Sequence, residues 1–326
     1  MTKLQVSFLQ SPVWAKFQRS IHREVIEKSG DDWSYLAIVE RGQFSNRLYC
    51  PYGPTAISVD KLSDALNDLR KEAKARKLDF VRVEPITPKA TEDDLRKLNL
   101  RPSDRFVEPP STLINDVSVE PDQIRAQLSQ SARRYARKCD AAGVTYSVSY
   151  DPHDIKFFLD MIHEVRARTG LRAHDDLYFR EIAATLFPSK DAGLLLAELD
   201  NQKIAAIIFY TDGETMSYAH AASLTEFRKI SPATGLGLYA LLFAHEQGCK
   251  NFDWFGVAPE GSTDPRYRAW QGFTQFKQSF GGQRINRLGT WELPLKKVRY
   301  LLYRLMLKLT GQQMRYALKM FKSKKS

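Results

Sequence analysis

The sequence predicts an α/β protein built from two copies of one unit, and three observations carry that prediction. A succession of strand, loop, long helix and buried strand runs from Tyr35 to Val83 and returns from Lys203 to Gly256. Hydrophobic residues make up 43% and charged residues 27%, the balance of a globular chain. At 326 residues there is room for two cores of ordinary size.

In chain order, residues 4–17 read as a short apolar strand followed by an aromatic turn, Trp14 to Phe17. Tyr35 to Val39 and Arg47 to Cys50 read as strands, the second ending in the rigid loop Pro51-Tyr52-Gly53-Pro54. Between Val59 and Lys77, Leu62, Ala65, Leu66, Leu69 and Ala73 recur at helical spacing, with Ser58 or Asp60 as caps. That helix leads into Phe80-Val81-Arg82-Val83-Glu84-Pro85, a strand. Arg105 to Ile114, stiffened by Pro109-Pro110, bridges the two halves, and Leu113 to Val117 opens the second.

Arg125 to Lys138 reads as one helix stopped by Gly143, and 155–169 as an amphipathic helix burying Phe158, Met161, Ile162 and Val165. Strands over Lys203–Tyr210 and Met216–Ala221, a helix over 231–247 and a buried strand over Phe252–Gly256 complete the second copy. Val257 to Tyr267 is polar and reads as a mobile surface loop. From Lys296 to Ser326 there are ten basic residues and no acidic one, and Val298, Leu301, Leu302, Leu305, Met306 and Leu309 recur at helical spacing. This is the pattern of a basic amphipathic helix lying on an anionic membrane, or of one docked on the first domain with its lysines in water.

The charge balance is 49 basic against 38 acidic residues, a net +11, which favours nucleic acid or an anionic membrane without choosing between them. No run of 18 apolar residues is present and the N-terminus has no signal-peptide pattern, so a cytoplasmic protein is expected, peripheral at the inner face of the plasma membrane if the basic helix docks there. Cys50, Cys139 and Cys249 are scattered and form no CxxC pair, which fits a reducing compartment and no zinc site.

The stretch Gln271 to Gly282 sets Phe273, Phe276 and Phe280 around Lys277, between glycines. A lysine dried by flanking rings attracts an anion far more strongly than one in water; the alternative is a loop whose aromatics fill the core while Lys277 faces solvent. Asp253-Trp254-Phe255-Gly256, followed by Gly272-Phe273 and Phe276-Lys277-Gln278-Ser279-Phe280-Gly281-Gly282, resembles the C-terminal signature of the Fem aminoacyltransferases. Phe8-Leu9-Gln10-Ser11, Gly53-Pro54, Phe80 to Pro85 and Arg133 to Lys138 agree with that family in order and spacing.

The resemblance implies two tandem acetyltransferase-like (GNAT) domains with a C-terminal basic amphipathic helix: 1–105 joined by 293–326, and 106–292. It implies transfer of an amino acid from aminoacyl-tRNA to the side-chain amine of a peptidoglycan precursor, lipid II or UDP-MurNAc-pentapeptide, building an interpeptide bridge with no cofactor and no metal. Lys277 is then the charge that meets the developing oxyanion or the terminal phosphates. Phe276 stacks on the terminal adenine or positions the lysine, and Gly281-Gly282 permit close backbone approach.

Lys16 falls where the family binds an anionic part of the precursor, and Tyr178 where a family tyrosine lies near it. His174 replaces a residue that is often a basic ligand of the phosphates. Glu84 stands where the family usually has Asp, so its carboxylate is a candidate base, the alternative being an ion pair with a nearby arginine. Arg133, Arg134 and Arg137 form either a solvated helix face or a phosphate-binding one. Two rivals remain. One is an acyl-CoA enzyme using the turn Pro232 to Gly237, although Pro232 removes a donor and the lone G-x-G is weak. The other is a non-catalytic protein that binds nucleic acid or membrane.

Overall fold

The computed structural model describes residues 7–104, 107–170 and 174–309. Residues 171–173, just before His174, and the end of the basic segment, 310–326, lie outside them. The chain divides into two compact units: 1–10 with 23–107 and 288–326, and 11–22 with 108–287.

The first unit is a seven-stranded sheet in which all neighbours but one are antiparallel. The parallel pair is Asn46–Cys50 with Phe80–Val83. The crossover between them is the helix Val59–Ala75, started by Ser58, whose side chain accepts from the Lys61 N–H. Leu62, Ala65, Leu66, Leu69 and Ala73 are all buried by it. Leu62, Leu66, Leu69 and Ala73 share a core with Ala37, Leu48, Val81 and Trp291, and Leu69→Ala at this fully buried site would cost about 2–5 kcal/mol.

Trp291–Pro294 pairs antiparallel with Phe80–Val83, so the chain returns to its first unit after completing the second. Residues 297–309 then form a helix. Its Tyr300 and Tyr303 rings pack on Phe80. Arg82, 5% exposed in its side chain, pairs with Glu292 at 2.6 Å and donates to the Tyr303 hydroxyl at 2.7 Å, while Tyr300 donates to Glu292 at 2.9 Å. A buried ion pair costs desolvation unless its remaining valences are met, and the two tyrosines meet them here.

The second unit repeats the plan: seven strands, with Thr215–Ser223 and Asn251–Gly256 the parallel pair and Pro232–Glu246 the crossover helix. That helix is apolar on most of its surface because it is buried, with Leu236, Ala240, Leu241 and Ala244 fully enclosed. Gly235 and Gly237, expected in a turn, are inside this helix. A Cβ at Gly235 would collide with the Tyr146 hydroxyl and one at Gly237 would meet the Phe280 ring at 2.5 Å, so both are small in order to admit side chains.

Three local expectations change. Pro12–Ser20 is a helix in place of an aromatic turn, because Ser11 caps the Trp14 N–H and Pro12 takes the first helical position; Phe8–Gln10 is a 3-10 turn in place of strand. The single helix expected over 125–138 is two, Pro121–Gln127 and Gln130–Ala141, restarted by Ser129 accepting from the Ala132 N–H. Gln271–Gln278, read as a loop, is a helix, and Phe273, Phe276, Lys277 and Phe280 recur at the three- and four-residue spacing of one helix face.

Candidate active site

The site is built where the two parallel strands of the second unit part. They pair only from Thr215 to Ser217 with Asn251 to Asp253; beyond that, Thr215–Ser223 keeps its antiparallel neighbour through Ser223. The other strand shifts register between Asp253 and Gly256, where Phe255 takes a left-handed conformation with φ 59°. Asp253 holds that conformation: its Oδ1 accepts from the Phe255 N–H at 2.8 Å and from the Thr112 hydroxyl, and Thr112 also donates to the Phe255 carbonyl at 3.0 Å. Arg287 lies 3.9 Å from the other carboxylate oxygen. The Asp-Trp-Phe-Gly run is thus a device for bending a strand out of its sheet.

The bend places the Gly256 carbonyl opposite Lys277, whose Nζ donates to it at 2.9 Å. Lys277 is 7% exposed, and its Nζ sits 5.2 Å from the Tyr218 ring centroid and 5.4 Å from that of Phe273. Burial pulls its pKa down to about 7, against a smaller upward pull from the Asp253 charge. The amine is therefore poised between its two forms near neutrality, and an arriving anion would favour the ammonium. Half-buried Phe276 meets Trp254 and Phe280 edge-on, with centroids at 6.3 and 5.1 Å. With Tyr218, Ala222 and Leu236 it lines a cavity of about 190 Å³.

Further along the strand that carries Tyr218 is His220, which sequence reasoning passed over. Its ring lies 5.0 Å from Phe179, 6.1 Å from His174 and 6.5 Å from Phe158. Burial, and then the nearby His174 and Lys277 charges, push its pKa down to about 3, so the imidazole is neutral and one ring nitrogen can accept a hydrogen bond. Tyr218 pairs with Phe209 and His220 with Ile208, so a register shift falls between these two side chains, and simple alternation along Tyr218-Ala219-His220 does not reveal where His220 points.

His174 stacks on Tyr178 at 3.8 Å, and Tyr178 meets Phe17 edge-on at 5.2 Å. Tyr178 is on the helix Asp176–Leu186, capped by Asp175, which packs on Pro12–Ser20; exposed Lys16 stands beside Phe17 on the latter. Lys277, Tyr218, His220, His174, Tyr178 and Lys16 therefore all belong to the second unit.

The other candidates stand elsewhere. Glu84 is in the first unit, 3% exposed, and accepts from the Tyr49 hydroxyl (3.1 Å), the Tyr52 N–H (3.1 Å) and the Thr290 hydroxyl (2.7 Å). A carboxylate that accepts from three donors ties together the segments that carry them. Gly281 and Gly282 have φ of 78° and 87°, and a Cβ would meet the Gln127 carbonyl at 2.5 Å or the Ile114 carbonyl at 2.9 Å. The close approach they permit is to the chain's own backbone, which lets Gln283–Asn286 pair with Ser111–Asp116.

Arg133, Arg134 and Arg137 are exposed; Arg133 donates to the Leu128 carbonyl at 2.8 Å, closing the end of the preceding helix, and Arg134 lies over Tyr135. Among the described residues no contact joins them to Lys277. Nor is there a group of three or more His, Cys, Asp or Glu side chains able to hold a metal, or a helix long and apolar enough to cross a membrane.

Comparison with known proteins adds three fold relatives. FemX superposes with a TM-score of 0.79 at 17% identity, covering 91% of this chain and 94% of its own. The C-terminal domain of a lysylphosphatidylglycerol synthetase candidate from Agrobacterium fabrum gives 0.61 at 13%, covering 91% and 92%. A tandem GNAT protein from the clavulanic acid biosynthesis pathway gives 0.50 at 12%, covering 83% of each chain. No curated protein matches by sequence. The FemAB family model matches residues 198–308, the stretch that holds Tyr218, His220, the bent strand and Lys277. Over those residues the chain is similar to the FemAB family, and over most of its length it shares its fold with FemX.

Proposed function

We propose that the protein is an aminoacyltransferase that moves an amino acid from aminoacyl-tRNA to the side-chain amine of a peptidoglycan precursor stem peptide, building an interpeptide bridge. The observation that carries this reading is the Lys277 amine, buried at the parting of two strands and hydrogen-bonded to a bent backbone carbonyl. The acceptor amine attacks the ester carbonyl, a C–N bond forms, and a tetrahedral oxyanion appears. Collapse breaks the ester C–O bond, and the proton lost by the amine ends on the departing ribose hydroxyl. Lys277, as ammonium, donates to the oxyanion or to the terminal phosphates, and Phe276 holds the lysine against Tyr218 or stacks on the terminal base. Neutral His220 supplies an acceptor for a substrate N–H. His174, Tyr178 and Lys16 take the polar part of the precursor.

An acyl-CoA reading is less well supported, because Gly235 and Gly237 are packed under Tyr146 and Phe280. The test is to incubate the protein with charged total tRNA and, separately, lipid II or the nucleotide-linked precursor, and to read the mass of the peptide. A mass gain of one aminoacyl residue, dependent on tRNA and lost in Lys277→Met, is the expected result. Transfer from acetyl-CoA alone, or an unchanged peptide in every arm, would overturn the proposal.

A further inference from the structure

The helix over residues 297–309 has two faces of opposite use. On one, Tyr300, Tyr303 and Leu307 pack against Phe80, and Arg304 pairs with Asp104 at 2.7 Å. On the other, Val298, Leu301, Leu302, Leu305 and Leu309 are 45–71% exposed. The described residues hold seven large hydrophobics this exposed, and five of them are on these thirteen residues. An aliphatic stripe at i, i+3, i+4, i+7 and i+11 on a helix held by a buried hydrogen-bonded network cannot roll inward, so it is presented to something outside the unit.

We propose that this stripe is a docking surface for an anionic lipid bilayer. Charge selects the occupant. Lys297 and Lys308 are exposed beside the stripe, and Arg299 is 62% exposed in its side chain while also reaching Asp79 at 3.3 Å. The sequence from 296 to its end has no acidic residue. A second copy of this helix, or the remaining residues 310–326 with five further basic side chains, would set like charges against like. Negatively charged headgroups complement that ring of charge while the leucines enter the acyl boundary. This surface is distinct from the Lys277 site, and its test needs neither tRNA nor precursor, so its failure leaves the transfer reading standing.

Full-length protein would be co-sedimented with vesicles of phosphatidylcholine alone and of phosphatidylcholine with phosphatidylglycerol, at low and physiological salt. Binding is expected to the anionic vesicles only and to weaken with salt. The triple variant Leu301→Ser, Leu302→Ser, Leu305→Ser should lower the partition coefficient at least about tenfold. Lys297→Glu with Lys308→Glu should lower it as well, and both variants should keep the wild-type far-UV spectrum and melting transition. Absence of wild-type binding, equal binding by the triple variant, or a wild-type dimer that the triple variant dissociates would each overturn the proposal.

Discussion

Lys277 and Gly256 are joined by a hydrogen bond of 2.9 Å from the side-chain amine to a carbonyl that a left-handed residue, Phe255, has turned out of its strand. Neither half of this contact has a purpose in the sheet itself. A buried lysine costs desolvation and a left-handed phenylalanine costs strain, and the two costs meet at one point.

Lys277→Met should therefore separate activity from stability. Aminoacyl transfer should fall at least about a hundredfold with the charge gone. Stability near pH 7 should rise by roughly 2 kcal/mol, because a buried charge is replaced by a thioether of similar length. Denaturant melts beside the transfer assay measure both. A variant that is both less stable and fully active would refute the assignment.

The pH dependence follows from the depressed lysine. In the unfolded chain the ammonium holds its proton to about 10.5, and in the folded protein only to about 7. Below about pH 7 both states are protonated and the fold bears the whole cost of the buried charge. Between the two values the unfolded chain binds more protons, so this group's contribution to stability rises with pH. The stability difference between wild type and Lys277→Met should accordingly shrink from pH 6 towards pH 10. Transfer by wild type, divided by that of Lys277→Arg, should decline as pH passes about 7, since the guanidinium stays charged.

Asp253 links the bend to the lysine. Its charge pulls the Lys277 pKa upward and its carboxylate caps Phe255. Asp253→Asn should move the declining limb of that profile to lower pH and cost about 2–3 kcal/mol of stability. Adding Phe255→Gly, which adopts φ 59° without strain, should recover up to about 1 kcal/mol of it. If the limb stays in place, the coupling is absent.

Glu84→Gln discriminates folding from catalysis. An amide nitrogen now faces donors that need an acceptor, so the melting temperature should drop, with a cost of about 1–3 kcal/mol. Transfer at a temperature where the variant is folded should stay within about threefold of wild type; a general base would lose far more.

His220→Phe keeps a ring among Phe158, Phe179 and His174 and removes the acceptor nitrogen. The fold should persist, while transfer should fall about 10- to 100-fold. Restoration of activity in His220→Gln, which returns an acceptor, would support a hydrogen-bonding role over a proton-transfer one.

Much of this architecture could be read from residues alone. The helix Val59–Ala75 shows its apolar face and its serine cap, and the repeated crossover shows in the order of elements. The segment around Lys277 was visible as chemistry and missed as a helix, because glycines at both ends resemble loop punctuation more than helix boundaries. Glu84 had the right residue type beside a proline, but burial under Tyr49, Tyr52 and Thr290 is set by residues up to 206 positions away.

Local sequence therefore contained what short-range forces encode: caps, periodicities, charge excess, and a lysine among phenylalanines. It contained neither the depressed pKa of that lysine nor the neutral state of His220, since both depend on how much water distant strands exclude. It did not tell which carboxylate is walled in, or that one face of the last described helix stays bare. Desolvation is a property of packing between residues far apart in the chain, and it converts a list of polar side chains into a site.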